Sequence, residues 1–173
     1  MIYSIVKYPE PILETPAGDV TEFNEELAQL AEDMFASMYQ AHGVGLAAPQ
    51  IGISKRIAVI DCSQDEDDEA NKTEKIVIIN PEVVYKEGRI SQEEGCLSLP
   101  DIREKVTRAK KVRVRYQDLK GEWREAEGED LFARAFQHEI DHLNGILFIQ
   151  HVSSLKRDLI KRKIKKMIKE GDW

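Results

Sequence analysis

Between Asn24 and Ala41, the apolar residues Leu27, Leu30, Ala31, Met34 and Met38 recur at helical spacing. Glu25, Glu26, Glu32 and Asp33 fall largely on other faces, so the segment predicts an amphipathic helix. Asn24 suits its N-cap, Gly43 suits the left-handed residue past its end, and its methionines read as core filler. Two short apolar runs follow, Ile57-Ala58-Val59-Ile60 and Ile76-Val77-Ile78-Ile79, and both predict strands, the second ended by Asn80-Pro81. Val112, Val114 and Tyr116 alternate with Lys111, Arg113 and Arg115 as in a half-buried strand. Asp118-Leu119-Lys120-Gly121 turns the chain into a return strand at Trp123. Gly128 breaks that pattern before a second helix from about Asp130 to Leu143, for which Gly145 is the stop signal. A third helix, about Ser154 to Lys169, carries the stripe Ile160, Ile164, Met167 and Ile168. Three helices and several mostly antiparallel strands, with no internal repeat, predict one α+β domain over residues 1–173.

Composition narrows this picture. At 173 residues and 42% hydrophobic, the chain can bury a core without disulfide staples. No run of about 18 apolar residues exists to span a membrane. The start, Met1 to Lys7, is neither a secretory signal nor a transit peptide, so the expected location is the cytoplasm. Net charge −7 argues against binding DNA or nucleic acid in general. The charge is divided, however. Residues 153–169 hold eight basic side chains against Asp158 alone, a local +7 that leaves −14 for the rest. The five consecutive acids 65–69 repel one another and predict a solvated loop, since the spaced ligands and turn glycine of an EF-hand are missing. The two cysteines, Cys62 and Cys96, are expected as thiols rather than a disulfide in a cytosolic chain.

The sharpest chemical signal is His138-Glu139-Ile140-Asp141-His142. Residues four apart on a helix differ by about 40° of rotation, so both imidazoles can reach one metal ion. Both share a stripe with Leu131 and Ala135, while Phe132, Phe136, Ile140 and Leu143 form a second, apolar stripe. Glu139 lies between the two stripes, where partial burial raises a carboxyl pKa close to a metal-activated water. A catalytic site needs a third ligand and an open position. The extended zinc-protease pattern fails, because Phe148 stands where its third histidine belongs, His151 comes three residues late, and the sole later glutamate is Glu170. The ligand is therefore expected upstream, and Cys96 in Glu94-Gly95-Cys96-Leu97-Ser98-Leu99-Pro100 is the best candidate, with Gly95 allowing close backbone approach and Pro100 ending the segment. Cys62 reads as a small buried or edge residue, and His42 and His151 as ordinary polar residues. In Gly43-Val44-Gly45-Leu46-Ala47-Ala48-Pro49-Gln50 no phosphate-loop pattern is completed; small residues admit another backbone and Gln50 supplies an amide donor.

Together these three segments, in this order, resemble the peptide deformylase family, and the likeness in element order covers nearly the whole chain. The resemblance implies removal of the formyl group from N-formyl-methionyl nascent peptides, on an α+β fold with the H-E-x-x-H helix at its centre. It implies that Cys96, His138 and His142 bind one divalent metal, with Fe²⁺ as the native ion, although the donor set also suits Zn²⁺, Ni²⁺ or Co²⁺. By the same likeness Glu139 is general base and acid, and Gln50 with Leu97 stabilises the oxyanion. Val44-Gly45 and Gly95-Cys96-Leu97 can flank an extended peptide as added strands, with a cramped pocket near Gly45 favouring formyl over acetyl groups. The alternative is another metal-dependent amidase or peptidase on the same scaffold. A non-catalytic relative would lack Glu139, Gln50 or Cys96, and all three are present. A deformylase works where nascent chains emerge, so the basic C-terminal helix is a candidate for ribosome contact.

Overall fold

The computed structural model describes residues 1–63 and 75–173, so the acidic run 65–69 lies outside the described residues. The first helix, α1, spans Glu25–Gln40, and the Asn24 side chain caps it by accepting from the Leu27 amide at 3.0 Å. Leu27, Leu30, Ala31, Met34 and Met38 are all buried, as their spacing requires. The reversal after α1 differs from expectation: His42, not Gly43, takes the left-handed conformation, with φ 60°. Gly43 is instead kept small by Leu97, whose Cδ1 would stand 2.9 Å from an added Cβ.

Strands β1 (Gly45–Ala47), β2 (Ile57–Ile60), β3 (Ile76–Glu87), β4 (Ile90–Cys96), β5 (Leu99–Arg108), β6 (Lys111–Gln117) and β7 (Trp123–Glu129) form two sheets. One is five-stranded in the order β1-β2-β3-β6-β7, the other pairs β4 with β5, and among the described residues every ladder between these strands is antiparallel. Three strand expectations need correction. Asn80-Pro81 does not end β3 but forms a bulge, with a register shift between Ile79 and Glu82 and φ 49° at Asn80. The Asn80 side chain binds both main-chain groups of Val20 and donates to Gln117 Oε1, which fixes the bulge. Pro100 does not end its segment but lies second in β5. The chain passes straight through Gly128, and the break falls at Asp130, with φ 51°.

The second helix, α2, spans Asp130–Leu143, and the third, α3, spans Ser154–Glu170. Alternation along β2 explains where α1 and α2 sit. Ala58 and Ile60 join a core with Val112, Val114, Phe132, Phe136, Ile140 and Leu143 of α2 and β6. Ile57 and Val59 join the opposite core, formed with Leu27, Ala31, Met34 and Met38 of α1. The five-stranded sheet is thus covered on both faces, and all four residues of β2 are buried. A third core unites Leu99, Ile102 and Val106 of β5 with Leu147, Phe148, Ile149 and the α3 residues Ile160 and Ile164. The α3 stripe is narrower than its spacing suggests, since Ile168 is 45% exposed. Gly145 does stop α2, at φ 76°, where the main chain of Glu14 and Thr15 stands 2.9 Å from an added Cβ.

Candidate active site

The register of β4 against β5 shifts between Gly95 and Cys96, which turns the Cys96 side chain toward α2. Its Sγ lies 3.3 Å from His142 Nε2, which in turn lies 3.1 Å from His138 Nε2. The sulfur and a ligating nitrogen from each histidine all lie within 4.8 Å of one another. Gathering one soft sulfur and two imidazoles this closely suits a divalent transition-metal ion. Hydrogen bonding supports the same fit. His138 Nδ1 meets Glu94 Oε1 at 3.1 Å, leaving Nε2 directed at the cluster. Burial and the charge of His138 push the pKa of His142 well down, toward the neutral ligating form. For His138 burial acts downward too, but contacts with Cys96 and Glu94 outweigh it and raise the pKa; a bound cation displaces that proton.

Glu139 is 4% exposed, and its Oε1 has no hydrogen-bond partner among the described residues. Burial, opposed by the charges of His138 and Arg108, pushes its pKa up to about 7, which suits a group that takes and returns a proton at neutral pH. Gly45 on β1 runs directly against this carboxylate: a Cβ there would stand 2.8 Å from Glu139 Cδ. A side chain at position 45 would therefore displace the acid, and only glycine lets the edge strand approach.

Gln50, 2% exposed, lies in the 3-10 turn Ala48–Ile51 that follows β1. Its Oε1 accepts from the Ala47 amide at 2.9 Å, which fixes the amide orientation. Nε2 then faces inward, 3.2 Å from Ser98 Oγ and 3.6 Å from Cys96 Sγ. Leu97 is half-buried against the α1 core, and the Gly95 backbone runs beneath Arg103, whose Nη1 stands 2.8 Å from an added Cβ. Val44 precedes β1, and its carbonyl accepts from the Asp61 amide on the sheet side. Cys62 is buried, and neither cysteine forms a disulfide.

The sequence reading missed the network behind His138. Arg108, with its side chain 4% exposed, grips both oxygens of Glu94 at 2.8 and 2.9 Å and donates to Asp141 Oδ2 at 2.7 Å. His151, read as an ordinary polar residue, meets the same Asp141 oxygen at 2.8 Å. Burial raises the Glu94 pKa, but the bonds from His138 and Arg108 outweigh it and hold the pKa at about 2. Glu94, two residues before Cys96, carried a signal by position, as did Asp141 inside H-E-x-x-H. Arg108 carried none, because only the fold brings it there.

An antiparallel sheet between two helices, one bearing H-E-x-x-H beside a cysteine from a second sheet, defines a metal-dependent hydrolase. The sequence model of the family described as Polypeptide deformylase matches residues 2–158. A peptide deformylase of Acidobacterium capsulatum is 65% identical over 173 residues, covering 100% of this chain and 99% of that protein. One from Desulfotalea psychrophila is 50% identical over 165 residues, covering 95% of this chain and 96% of its own. The crystal structure of a peptide deformylase from Legionella pneumophila superposes with a TM-score of 0.88 at 46% identity, covering 99% of this chain and 98% of that one. The chain belongs to the peptide deformylase family.

Proposed function

We propose a division of roles by which this site removes the formyl group from N-terminal formyl-methionine of nascent proteins, releasing formate. Cys96, His138 and His142 hold one divalent ion, Glu139 carries the proton, and the Gln50 side-chain amide and Leu97 N–H receive the oxyanion. The observation that carries this reading is the approach of the three ligand atoms to within 4.8 Å beside the buried Glu139. When bound, the ion supplies the Lewis acidity that makes water a nucleophile at neutral pH. Glu139 takes a proton from the attacking water and passes it to the departing methionine amine. As the formyl carbon becomes tetrahedral, its oxygen gains negative charge, and Gln50 Nε2–H with Leu97 N–H donates to it. The close pairing of Gly45 with Glu139 supports a preference for formyl, which places hydrogen where an acetyl group places a methyl. Val44-Gly45 and Gly95-Leu97 line the two sides along which an extended peptide adds as a strand.

Fe²⁺ is the native ion in this reading, on family resemblance, and Zn²⁺, Ni²⁺ and Co²⁺ suit the same donors. Among the described residues no helix is long and apolar enough to cross a membrane. We assign the chain to the cytoplasm as a single deformylase domain. The basic face of α3, with Lys161, Arg162, Lys165 and Lys166 exposed, then contacts the ribosome. Replacing Lys161, Arg162, Lys165 and Lys166 together by Ala, which leaves Ile160, Ile164 and Trp173 in place, is expected to weaken salt-sensitive ribosome binding and to spare deformylation of short peptides; unchanged binding refutes the contact. The central test is Glu139→Ala. It should retain metal, measured per chain after anaerobic purification, and lose about a thousandfold in turnover. Near-normal turnover would remove Glu139 from the reaction.

A further inference from the structure

Residues 6–8 form a strap across the back of the site. The Val6 amide donates to the Gln50 carbonyl at 2.7 Å, and the Tyr8 amide donates to the Ser98 carbonyl at 2.9 Å. Gln50 follows β1 of the five-stranded sheet, whereas Ser98 lies between β4 and β5. Alternate residues of one short segment therefore tie together two walls that belong to different sheets. Those walls carry Gln50 Nε2 and, next to Ser98, the Leu97 N–H. The strap thus adds a main-chain tie behind the direct contact of Gln50 Nε2 with Ser98 Oγ at 3.2 Å.

The strap is itself held from outside. Trp173 Nε1–H donates to the Tyr8 carbonyl at 2.6 Å. The end of α3 delivers the indole there. Gly171 takes the left-handed conformation at φ 78°, its amide binds the Ile168 carbonyl at 3.2 Å, and the Asp172 amide binds the Met167 carbonyl at 2.8 Å. This pair of bonds reverses the chain and folds Trp173 back onto the body. The half-buried Trp173 packs on the apolar cluster that also receives Val6, Tyr8, Ile12 and Cys96. One unbroken series of contacts thus runs from the end of α3, through Tyr8, to both walls.

We propose that Trp173 is a positioning residue for deformylation: through Tyr8 it fixes the strap, and through the strap it fixes the spacing between the Gln50 and Leu97 donors. This rests on the reading of those two groups as oxyanion donors. Donors aimed at a developing charge act in the transition state, so loosening them lowers kcat and leaves KM and metal content in place.

The test is Trp173→Phe in the full chain, which keeps an aromatic ring against the cluster and removes the N–H. Amide exchange at Tyr8 should quicken about tenfold, and the NMR resonances of the Gln50 side-chain amide should move. Turnover should fall about threefold to tenfold, with KM and metal per chain unchanged. Gln50→Ala should lower kcat by itself, and adding Trp173→Phe to it should cost little more, because the two act on one interaction. Gly171→Ala meets no neighbour but strains the reversal, so it should reproduce the same pattern in smaller measure. Unchanged Tyr8 exchange together with unmoved Gln50 resonances overturns the proposal. So does an equal kcat loss with and without the Gln50 side chain. If Gln50→Ala keeps full turnover, the oxyanion assignment fails, and the strap is then judged on the exchange and the resonances, which do not depend on it.

Discussion

Helices α2 and α3 are of similar length and are held in opposite ways. α2 buries nine of its 14 residues and has no side-chain cap at its start. α3 buries only Ile160 and Ile164 of its 17, yet is capped at one end by Ser153 Oγ and closed at the other by Gly171. Packing over-determines α2, and that is why it can carry Glu139 Oε1 and His142 Nδ1, buried without partners among the described residues. Each such atom costs about 1–3 kcal/mol, which the burial of Phe132, Phe136, Ile140 and Leu143 offsets. α3 has less reserve, and among the described residues it holds one such atom, Arg157 Nε in its first turn, against three on α2 with Arg134 Nε included. Its like charges repel, and its local caps and a narrow apolar seam hold it in place. The difference teaches where the unsatisfied groups of a reactive site gather: on the element whose position depends least on its own polar groups.

The sharpest way to break this contrast is to remove one cation from each neighbourhood. Arg108→Met leaves the buried Glu94 and the half-buried Asp141 without their guanidinium, and should cost about 3–5 kcal/mol in urea denaturation. Lys156→Met on α3 removes an exposed amine 3.5 Å from Glu104 and should cost below about 1 kcal/mol. Equal losses would end the distinction. Within α3, Ile164→Ala should cost about 2–3 kcal/mol, while Ile168→Ala should stay within about 0.5 kcal/mol; comparable values would mean that the seam is wider than the burial indicates.

α1 supplies an intermediate case and the smallest effect. Tyr39 donates to Asp61 Oδ2 at 2.6 Å, and burial, helped by that bond and the Asp61 charge, pushes its pKa up to about 12. Because the folded pKa lies above the ordinary value of 10.0, the stabilisation is complete below pH 10.0 and is lost as pH rises through about 12. Tyr39→Phe should flatten the stability profile across that window in pH-dependent melting. An unaltered profile would discount the pair.

Much of this architecture was legible, and the exceptions have physical reasons. The spans of α1, α2 and α3 followed from apolar periodicity, helped by Asn24 at the start of α1 and Gly145 after α2, while the Ser153 cap of α3 emerged only in the structure. β5 escaped notice because its inward positions are Ile102, Glu104, Val106 and Arg108, so two charged residues interrupt the alternation that announces a strand. β4 was hidden likewise, since its buried residue is Glu94. Two of the three charges that erased the pattern, Glu94 and Arg108, belong to the network behind His138, and the third, Glu104, pairs with Lys156 of α3. Polar residues where a core residue is expected can therefore mark a site as well as conceal a strand. The ligand cluster itself was readable because H-E-x-x-H and Cys96 sit in short local motifs. Arg108 and Trp173 act only through contacts distant in sequence, and no local pattern reveals them.

The grip of Arg108 on Glu94, and of Glu94 on His138, has one more consequence. A zinc finger is assembled by its ion, whereas here protein groups already dictate how the imidazole points. The shape of the cradle is thus written into the chain: the aim of His138 is set by a carboxylate and a guanidinium, and is expected to persist in the folded protein when no ion is bound.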